Sequence, residues 1–426
     1  DKAFGNSSKF GISLKVNQSL LRIRQQLHRI KVLLSSLVIN SEIDKKNNTI
    51  HLALRLIKYN CHKNNVRQLI NESTQLISYE ITQHTAKTGE HYITESKSEY
   101  FLMLKAAVGG GFIVGLLCII KTLLSKIDTS AFGHAFYYSL NYSIGFITIY
   151  LMGYTLATKQ PAMTAATLIK ALESGMKKQS KNENKHSSFA QLFARLFRSQ
   201  FIAFVGNVFM AFPVSLLGIW LIDYIFDYNI AFEKSAKLLN DLSPISSAAV
   251  FHAAIAGVFL FLSGIISGNV SNKNKHNQVY FRIKEHPLLK QNFGKKKTEK
   301  IANWFENNWA GFVSNGWFGV FLGSTASIGI FLGLNLDIRH ITFASGNFAL
   351  GLYGANFFVD FWTIFWSIIG IGVIGFMNFI VSFLLSLGLA FRSRNIPLSE
   401  LGLLRKSTWA YFKTRPSAFF FPVKDK

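Results

Sequence analysis

Apolar residues in this chain lie in long, nearly uncharged runs. A helix needs about 20 largely apolar residues to cross a bilayer core of about 30 Å. Six runs are long enough, which predicts an all-α, polytopic membrane protein with six transmembrane helices. The predicted spans cover approximately residues 101–124, 129–157, 201–221, 243–268, 309–335 and 361–391.

A seventh apolar run covers residues 341–359, and the distribution of charge decides how it is interpreted. Lys and Arg concentrate in the short cytoplasmic loops of membrane proteins. With six spans, alternate segments hold 40 Lys and Arg residues on one side and 5 on the other. This asymmetry predicts that both termini are cytoplasmic and that the number of spans is even. We therefore expect 341–359 to form a re-entrant or interfacial hairpin on the outer side.

Residues 1–100 precede the first span and are predicted to be a cytoplasmic helical region. Their first apolar residues recur at alternating intervals of four and three, which is a heptad pattern. We expect this seam to pack in the core of a helical bundle; the alternative is a surface that binds a partner protein. Residues 392–426 are predicted to be a basic cytoplasmic tail. The seam consists of Val16, Leu20, Ile23, Leu27, Ile30, Leu34 and Leu37.

Composition agrees with this picture: 49% of the residues are hydrophobic and 16% are charged, yet the net charge is +24. The apolar content argues against a disordered chain, and two cysteines cannot form a disulfide framework. Because the positive excess follows the predicted topology, we do not expect nucleic acid as a partner. We expect the cytoplasmic face to contact anionic membrane lipids, through basic runs such as Lys295–Lys297.

The sequence contains no phosphate-binding loop, no HExxH, no GxSxG and no CxxC motif. Its histidines show no spacing typical of metal ligands, so we predict no catalytic, metal-binding or cofactor-binding residues and lean against an enzyme. No Asp, Glu or Arg lies at the centre of a predicted span. Coupled pumps use such residues, so their lack argues against a coupled pump.

Several stretches together resemble a family of bacterial integral membrane proteins labelled site-specific recombinases, of the Gcr type. The resemblance covers the chain from about residue 50 onward. It implies that the chain is the C-terminal and membrane portion of a multi-pass protein of the bacterial inner membrane. The matching stretches are Thr88–Ile93 (TGEHYI), Thr155–Thr167, Arg198–Gln200 with Gly206 and Asn207, Leu322–Thr325, Asp337–Phe343, and Asn378 with Phe391–Arg394.

The recombinase label itself lacks support in the residues. A tyrosine recombinase needs a Tyr nucleophile with an Arg/His cluster, usually including an HxxR element, and this chain has no HxxR. A lipid-embedded bundle also offers DNA no access route, so we do not expect recombination. The resemblance instead selects ten candidate functional residues: Glu90, His91, Lys159, Gln160, Pro161, Asn207, Asp337, Arg339, His340 and Asn378.

Three functions remain open at this stage. The first is a non-enzymatic conduit, or a handler of lipids or small solutes, built on the six-helix bundle. The second is a membrane scaffold that recruits a partner protein through residues 1–100. The third is site-specific DNA recombination, as the family label says.

Overall fold

The protein is described here from a computed structural model. The structure describes residues 14–37, 42–62, 78–79, 81–82, 93–158, 164–169, 182–394, 396–397 and 399–422. Every regular element in these residues is a helix, which confirms the predicted all-α class.

The heptad region forms two helices, α1 (Leu14–Leu37) and α2 (Glu42–His62). The seam positions on α1 are not buried: Ile23, Leu27, Ile30 and Leu34 are each 52–61% exposed. The cytoplasmic bundle therefore remains a prediction, because the described residues do not cover this seam.

The apolar runs form the main bundle. It comprises α3 (Lys97–Leu124), α4 (Ala131–Leu151), α5 (Asn182–Phe226), α6 (Ser235–Asn240), α7 (Ala249–His276), α8 (Val279–Lys284), α9 (Pro287–Phe331), α10 (Ile341–Gly354), α11 (Phe361–Ser393) and α12 (Glu400–Thr414). Two 3₁₀ turns lie at Phe232–Lys234 and Pro416–Phe419, and residues 164–169 are also helical.

Four helices are long and apolar enough to cross a membrane: α3, residues His186–Phe226 of α5, α7 and α11. They coincide with the first, third, fourth and sixth predicted spans. Helices α4 and α9 occupy the positions of the other two.

Several helix ends differ from the predicted bounds. The second run was predicted to stay helical to residue 157, but α4 ends at Leu151 and the chain continues as turns and extended backbone to Thr158. Helix α5 begins well before residue 201, and Pro213 lies inside it. In the seventh run, α10 ends at Gly354. Hydropathy cannot locate the end of α4, because the residues after it are as uncharged as those before it.

Side-chain caps explain where several helices begin. Ser96 and Glu99 form a capping box at the start of α3. Ser130 caps α4, and the Asp360 carboxylate accepts hydrogen bonds from two backbone N–H groups at the start of α11.

The helices pair closely through small residues. Helices α3 and α5 run parallel, since Gly111 meets Asn207 and Gly115 meets Val214. Helices α4 and α9 run antiparallel, since Gly319 meets Ser143 and Gly323 meets Ser139. Close backbone approach of this kind is typical of helix packing in membranes.

Candidate functional site

Five of the ten candidate residues lie in the described part of the chain, and they gather where two breaks in the helices meet. These five are Asn207, Asp337, Arg339, His340 and Asn378. The other five lie outside the described residues: Glu90, His91, Lys159, Gln160 and Pro161.

Asn207 on α5 is fully buried and holds the extended segment that follows α4. Its Nδ2 donates hydrogen bonds to the carbonyl oxygens of Ala107, at 2.6 Å, and Thr155, at 2.9 Å. Its Oδ1 accepts from the backbone N–H of Ala157, at 2.8 Å, and from the Thr342 hydroxyl, at 3.1 Å. One amide side chain therefore satisfies two backbone groups that the helix break would leave unpaired, Thr155 C=O and Ala157 N–H, and also bonds a carbonyl of α3.

Asn378 on α11 is also fully buried and holds the segment that follows α9. Its Nδ2 donates to the carbonyl oxygens of Ala253, at 2.8 Å, and Arg339, at 2.9 Å. Its Oδ1 accepts from the backbone N–H of Ile341, at 3.1 Å.

The two asparagines make the same set of contacts. In each case Nδ2 bonds one carbonyl on a parallel neighbouring helix and one carbonyl in the break, and Oδ1 accepts from the N–H two residues further along the break. The residue whose carbonyl is clamped in each break also donates a bond to the neighbouring helix: Thr155 N–H to the Ala106 carbonyl, at 3.1 Å, and Arg339 N–H to the His252 carbonyl, at 3.4 Å. We name these two arrangements the first and second asparagine clamp.

The correspondence continues along the helices that lead to the breaks. Helices α4 and α9 are each followed, two residues after their last residue, by a glycine with positive φ, Gly153 at 69° and Gly333 at 65°. A shift of 180 residues relates 153 to 333, and the same shift relates Ser139 to Gly319 and Ser143 to Gly323. The two close contacts between α4 and α9 are therefore images of each other.

The helices that carry the clamps run in opposite directions. Phe193 and Phe197 of α5 contact Phe383 and Phe379 of α11 in that order, with ring centroids 5.4 and 5.9 Å apart. The described parts of residues 97–226 and 249–393 thus form two units of three long helices each, which have a similar plan and opposite directions. We call them the first unit and the second unit.

His340 and Thr158 join the two units between the clamps. The Nε2 of His340 lies 3.3 Å from the Thr158 hydroxyl oxygen. Its Nδ1 accepts from the Thr342 N–H, at 3.4 Å, so the proton belongs on Nε2, which donates to Thr158. Thr158 has a φ of 68°, which is uncommon for a β-branched residue, and its N–H donates to Gln200 Oε1 at 3.2 Å. Both His340 and Thr158 are at most 5% exposed.

The two clamps, His340 and Thr158 form one buried polar layer, and Arg339 brings a charge to it. Its guanidinium contacts the Asp337 carboxylate and lies 2.7 Å from the Asp241 carboxylate. The arginine is 9% exposed, so its charge is neutralised locally by two acids. We name Arg339, Asp241 and Asp337 the ionic cluster.

Two cavities reach the clamps from the two units. The first, of about 840 Å³, is lined by Glu99, Leu102, Ala106 and Thr155 among others. The second, of about 450 Å³, includes the ionic cluster together with Ala248 and His252. Because Ala106 corresponds to His252 and Thr155 to Arg339, the cavities occupy equivalent places in the two units.

The sequence pointed to both asparagines as candidates but not to their equivalence. Thr155, Thr158, Gln200 and Thr342 lie in the matching stretches but were not among the ten candidates. A signal was present, since each asparagine lies on the third long helix of its unit and each break follows an apolar helix and then a glycine. Among the described residues, no three His, Cys, Asp or Glu side chains gather as a metal site requires.

Comparison with known proteins gives one assignment. No curated protein and no solved structure matches the chain. A family described as "Site-specific recombinase" matches residues 1–422, nearly the whole chain. The chain therefore belongs to this family, as its sequence motifs predicted.

Proposed function

We propose that this protein is a non-enzymatic conduit or small-solute handler of the bacterial inner membrane, with its path through the asparagine clamps. The observation that carries the proposal is the pair of equivalent cavities, which approach one buried polar layer from oppositely directed units. Broken helices held by polar side chains near the middle of a bundle are typical of membrane transport proteins.

The proposed arrangement has six spans, both termini in the cytoplasm and α10 re-entrant from the outer side. Helix α10 has 14 residues, or about 21 Å at 1.5 Å per residue, too short to cross. It runs parallel to α5, since Thr342 contacts Asn207 and Phe348 contacts Phe212. Apolar side chains exposed on the bundle surface, such as Phe209 at 74%, fit a lipid environment.

In this orientation the first cavity opens towards the cytoplasm and the second towards the outer side. Both cavity walls combine apolar and charged side chains. A small hydrophilic solute fits such a lining better than a lipid tail does. Anionic lipid at the cytoplasmic face remains the proposed membrane partner.

Thiol accessibility tests this proposal. In a background with Cys61→Ser and Cys118→Ala, Leu102→Cys and Ala248→Cys occupy equivalent places in the two cavities. A membrane-impermeant thiol reagent should label Leu102→Cys only from the cytoplasmic side and Ala248→Cys only from the outer side. Leu116→Cys and Leu384→Cys are the controls, because both face outward from the bundle and should stay unlabelled in lipid.

Absence of labelling at both cavity positions would rule out the conduit. Purified protein in vesicles then gives the functional readout. Light scattering after a urea or glycerol gradient should relax faster than in empty vesicles, and Thr158→Trp, in the layer between the cavities, should slow that relaxation.

A second candidate, a scaffold that recruits a protein through α1, is favoured by the exposed seam. Ile23, Leu27, Ile30 and Leu34 form one apolar stripe. Substituting Leu27 and Leu34 with Gln should abolish capture of a defined partner, whereas the exposed polar Arg24→Gln should not.

DNA recombination, named by the family description, is the remaining alternative. It requires specific binding of a DNA site that persists at high salt. Binding that disappears with modest salt reflects only the basic surface.

A further inference from the structure

The two cavities end on the same layer, and that layer is closed. Thr155 lines the first cavity and Arg339 lines the second, and the asparagine clamps fix both. Between them lie His340 and Thr342, which are at most 1% exposed. A solute in one cavity is thus separated from the other by a thin, hydrogen-bonded barrier rather than by a continuous pore.

The two units have the same plan but differ in detail. Between the glycine that follows the helix and the residue with the clamped carbonyl, the first unit has one residue, Tyr154, and the second unit has five, residues 334–338. The second cavity is about half the volume of the first. The ionic cluster lies at its wall, whereas the residue equivalent to Arg339 in the first unit is the uncharged Thr155.

The ionic cluster joins parts of the chain that would separate if the second cavity widened. Asp241 follows α6, in the connection between the units, and Arg339 lies in the break of the second unit. The Arg339 Nε also donates to the Asp241 carbonyl, at 3.3 Å. These bonds hold the break of the second unit against the segment that connects the two units, at the outer end of the bundle.

We propose that the protein is an alternating-access carrier in which the two inverted units exchange conformations, with the Arg339–Asp241 ion pair as the outer latch that keeps the second cavity narrow in the state described here. This proposal rests on the proposed function. The two units are oppositely directed and make equivalent contacts, so each can adopt the conformation that the other has in this structure. The resulting second state has the wide cavity on the outer side. A polar solute would then meet the closed layer from one side at a time.

The test weakens the latch and measures both cavities. Asp241→Asn removes the charge of one partner and leaves Asp337 to pair with Arg339. In the Leu102→Cys and Ala248→Cys backgrounds, the labelling rate at Ala248→Cys should rise about tenfold and the rate at Leu102→Cys should fall by at least about half, because one equilibrium governs both cavities. Arg339→Gln is the second latch variant, because it removes the other partner of the Arg339–Asp241 ion pair, and it should act in the same direction.

Glu233→Gln is the matched control, since it breaks an exposed ion pair with Lys126 away from the cavities. It should change neither rate. A rise at Ala248→Cys with no fall at Leu102→Cys would mean local loosening and would overturn the carrier mechanism, as would no change at either position. With the Arg339–Asp241 pair intact, labelling of Leu102→Cys and Ala248→Cys tests the conduit itself. Failure of the conduit and failure of the carrier mechanism are therefore distinguishable.

Discussion

At the scale of single residues, the two buried asparagines supply hydrogen-bond partners for backbone groups that the helix breaks leave unpaired. Asn207 and Asn378 each hydrogen-bond a backbone carbonyl of a neighbouring helix. Their partners could not be predicted from the sequence, because the accepting carbonyls lie between 39 and 125 residues away and any residue type supplies a carbonyl.

We expect Asn207→Ala and Asn378→Ala to destabilise the protein by similar amounts. Each substitution leaves one buried carbonyl and one buried N–H of the break unpaired and removes a second bond from a helix carbonyl, which costs about 2–5 kcal/mol in total. Thermal unfolding in detergent measures the effect. Asn315→Ala is the control: Asn315 donates to Gly311 one turn earlier in its own helix, so its loss should cost less. Unequal effects of the two clamp variants would argue against the equivalence of the units.

Thr158 carries a further residue-scale prediction, because its positive φ is costly for a β-branched side chain. Thr158→Asn should be tolerated or raise the melting temperature, since Asn adopts this backbone conformation more readily. Thr158→Val keeps the strain and loses the hydroxyl, so it should lower the melting temperature. Equal melting temperatures for the two variants would contradict this account.

At the scale of helices, apolar run length predicted where helices form. The same run length could not place the end of α4, because Gly153 and the uncharged residues after it look like the span that precedes them. The change from helix to extended backbone after α4 depends on the first clamp, which joins residues that are distant in the sequence.

The α4–α9 contact can be tested at its glycines. A Cβ added at Gly319 would lie 2.3 Å from the Ser143 backbone nitrogen, and one at Gly323 would lie 2.2 Å from that of Ser139. Gly319→Ala and Gly323→Ala should therefore each force the helices apart and cost about 1–3 kcal/mol in thermal unfolding. Gly372→Ala is the control, because a Cβ there meets nothing within 4 Å, and it should be neutral or stabilising.

The start of α11 carries a pH prediction. The hydrogen bond from Thr363, with help from backbone N–H groups, lowers the pKa of Asp360, which precedes the spanning helix. A lowered pKa means that the stabilisation is present above about pH 4 and is lost as the pH falls through the folded-state value. The melting temperature of the native protein should therefore fall more between about pH 5 and 3 than that of Asp360→Asn. Parallel pH profiles for the two proteins would contradict this role.

At the scale of the whole molecule, composition and charge gave the class and a proposed orientation, and the motifs gave the family. The inverted arrangement did not follow from them, because the two units share contacts rather than residue identities. The contact of Gly319 with Ser143 is equivalent to the contact of Ser139 with Gly323, although the residue types differ. Backbone geometry can be equivalent where side chains differ, and a single sequence does not reveal it.

The basic face that we propose to be cytoplasmic gives a prediction at this scale. Replacing Lys295, Lys296 and Lys297 with Gln should weaken the stabilisation of the purified protein by anionic lipid, because each Lys near such a surface contributes about 1 kcal/mol. Thermal unfolding with increasing phosphatidylglycerol measures it. Lys126→Gln at the opposite end is the control and should leave the lipid response unchanged.

The opposite directions of the two units also bear on how such a chain could arise. If each unit has three spans, as proposed, a tandem duplication of one unit inserts its second copy upside down, since an odd number of crossings leaves the chain on the other side of the membrane. No inversion of the gene is needed. The ancestral unit would then have been able to insert either way round, and the concentration of 40 Lys and Arg residues on one side would be the later adjustment that fixed each copy in a single orientation.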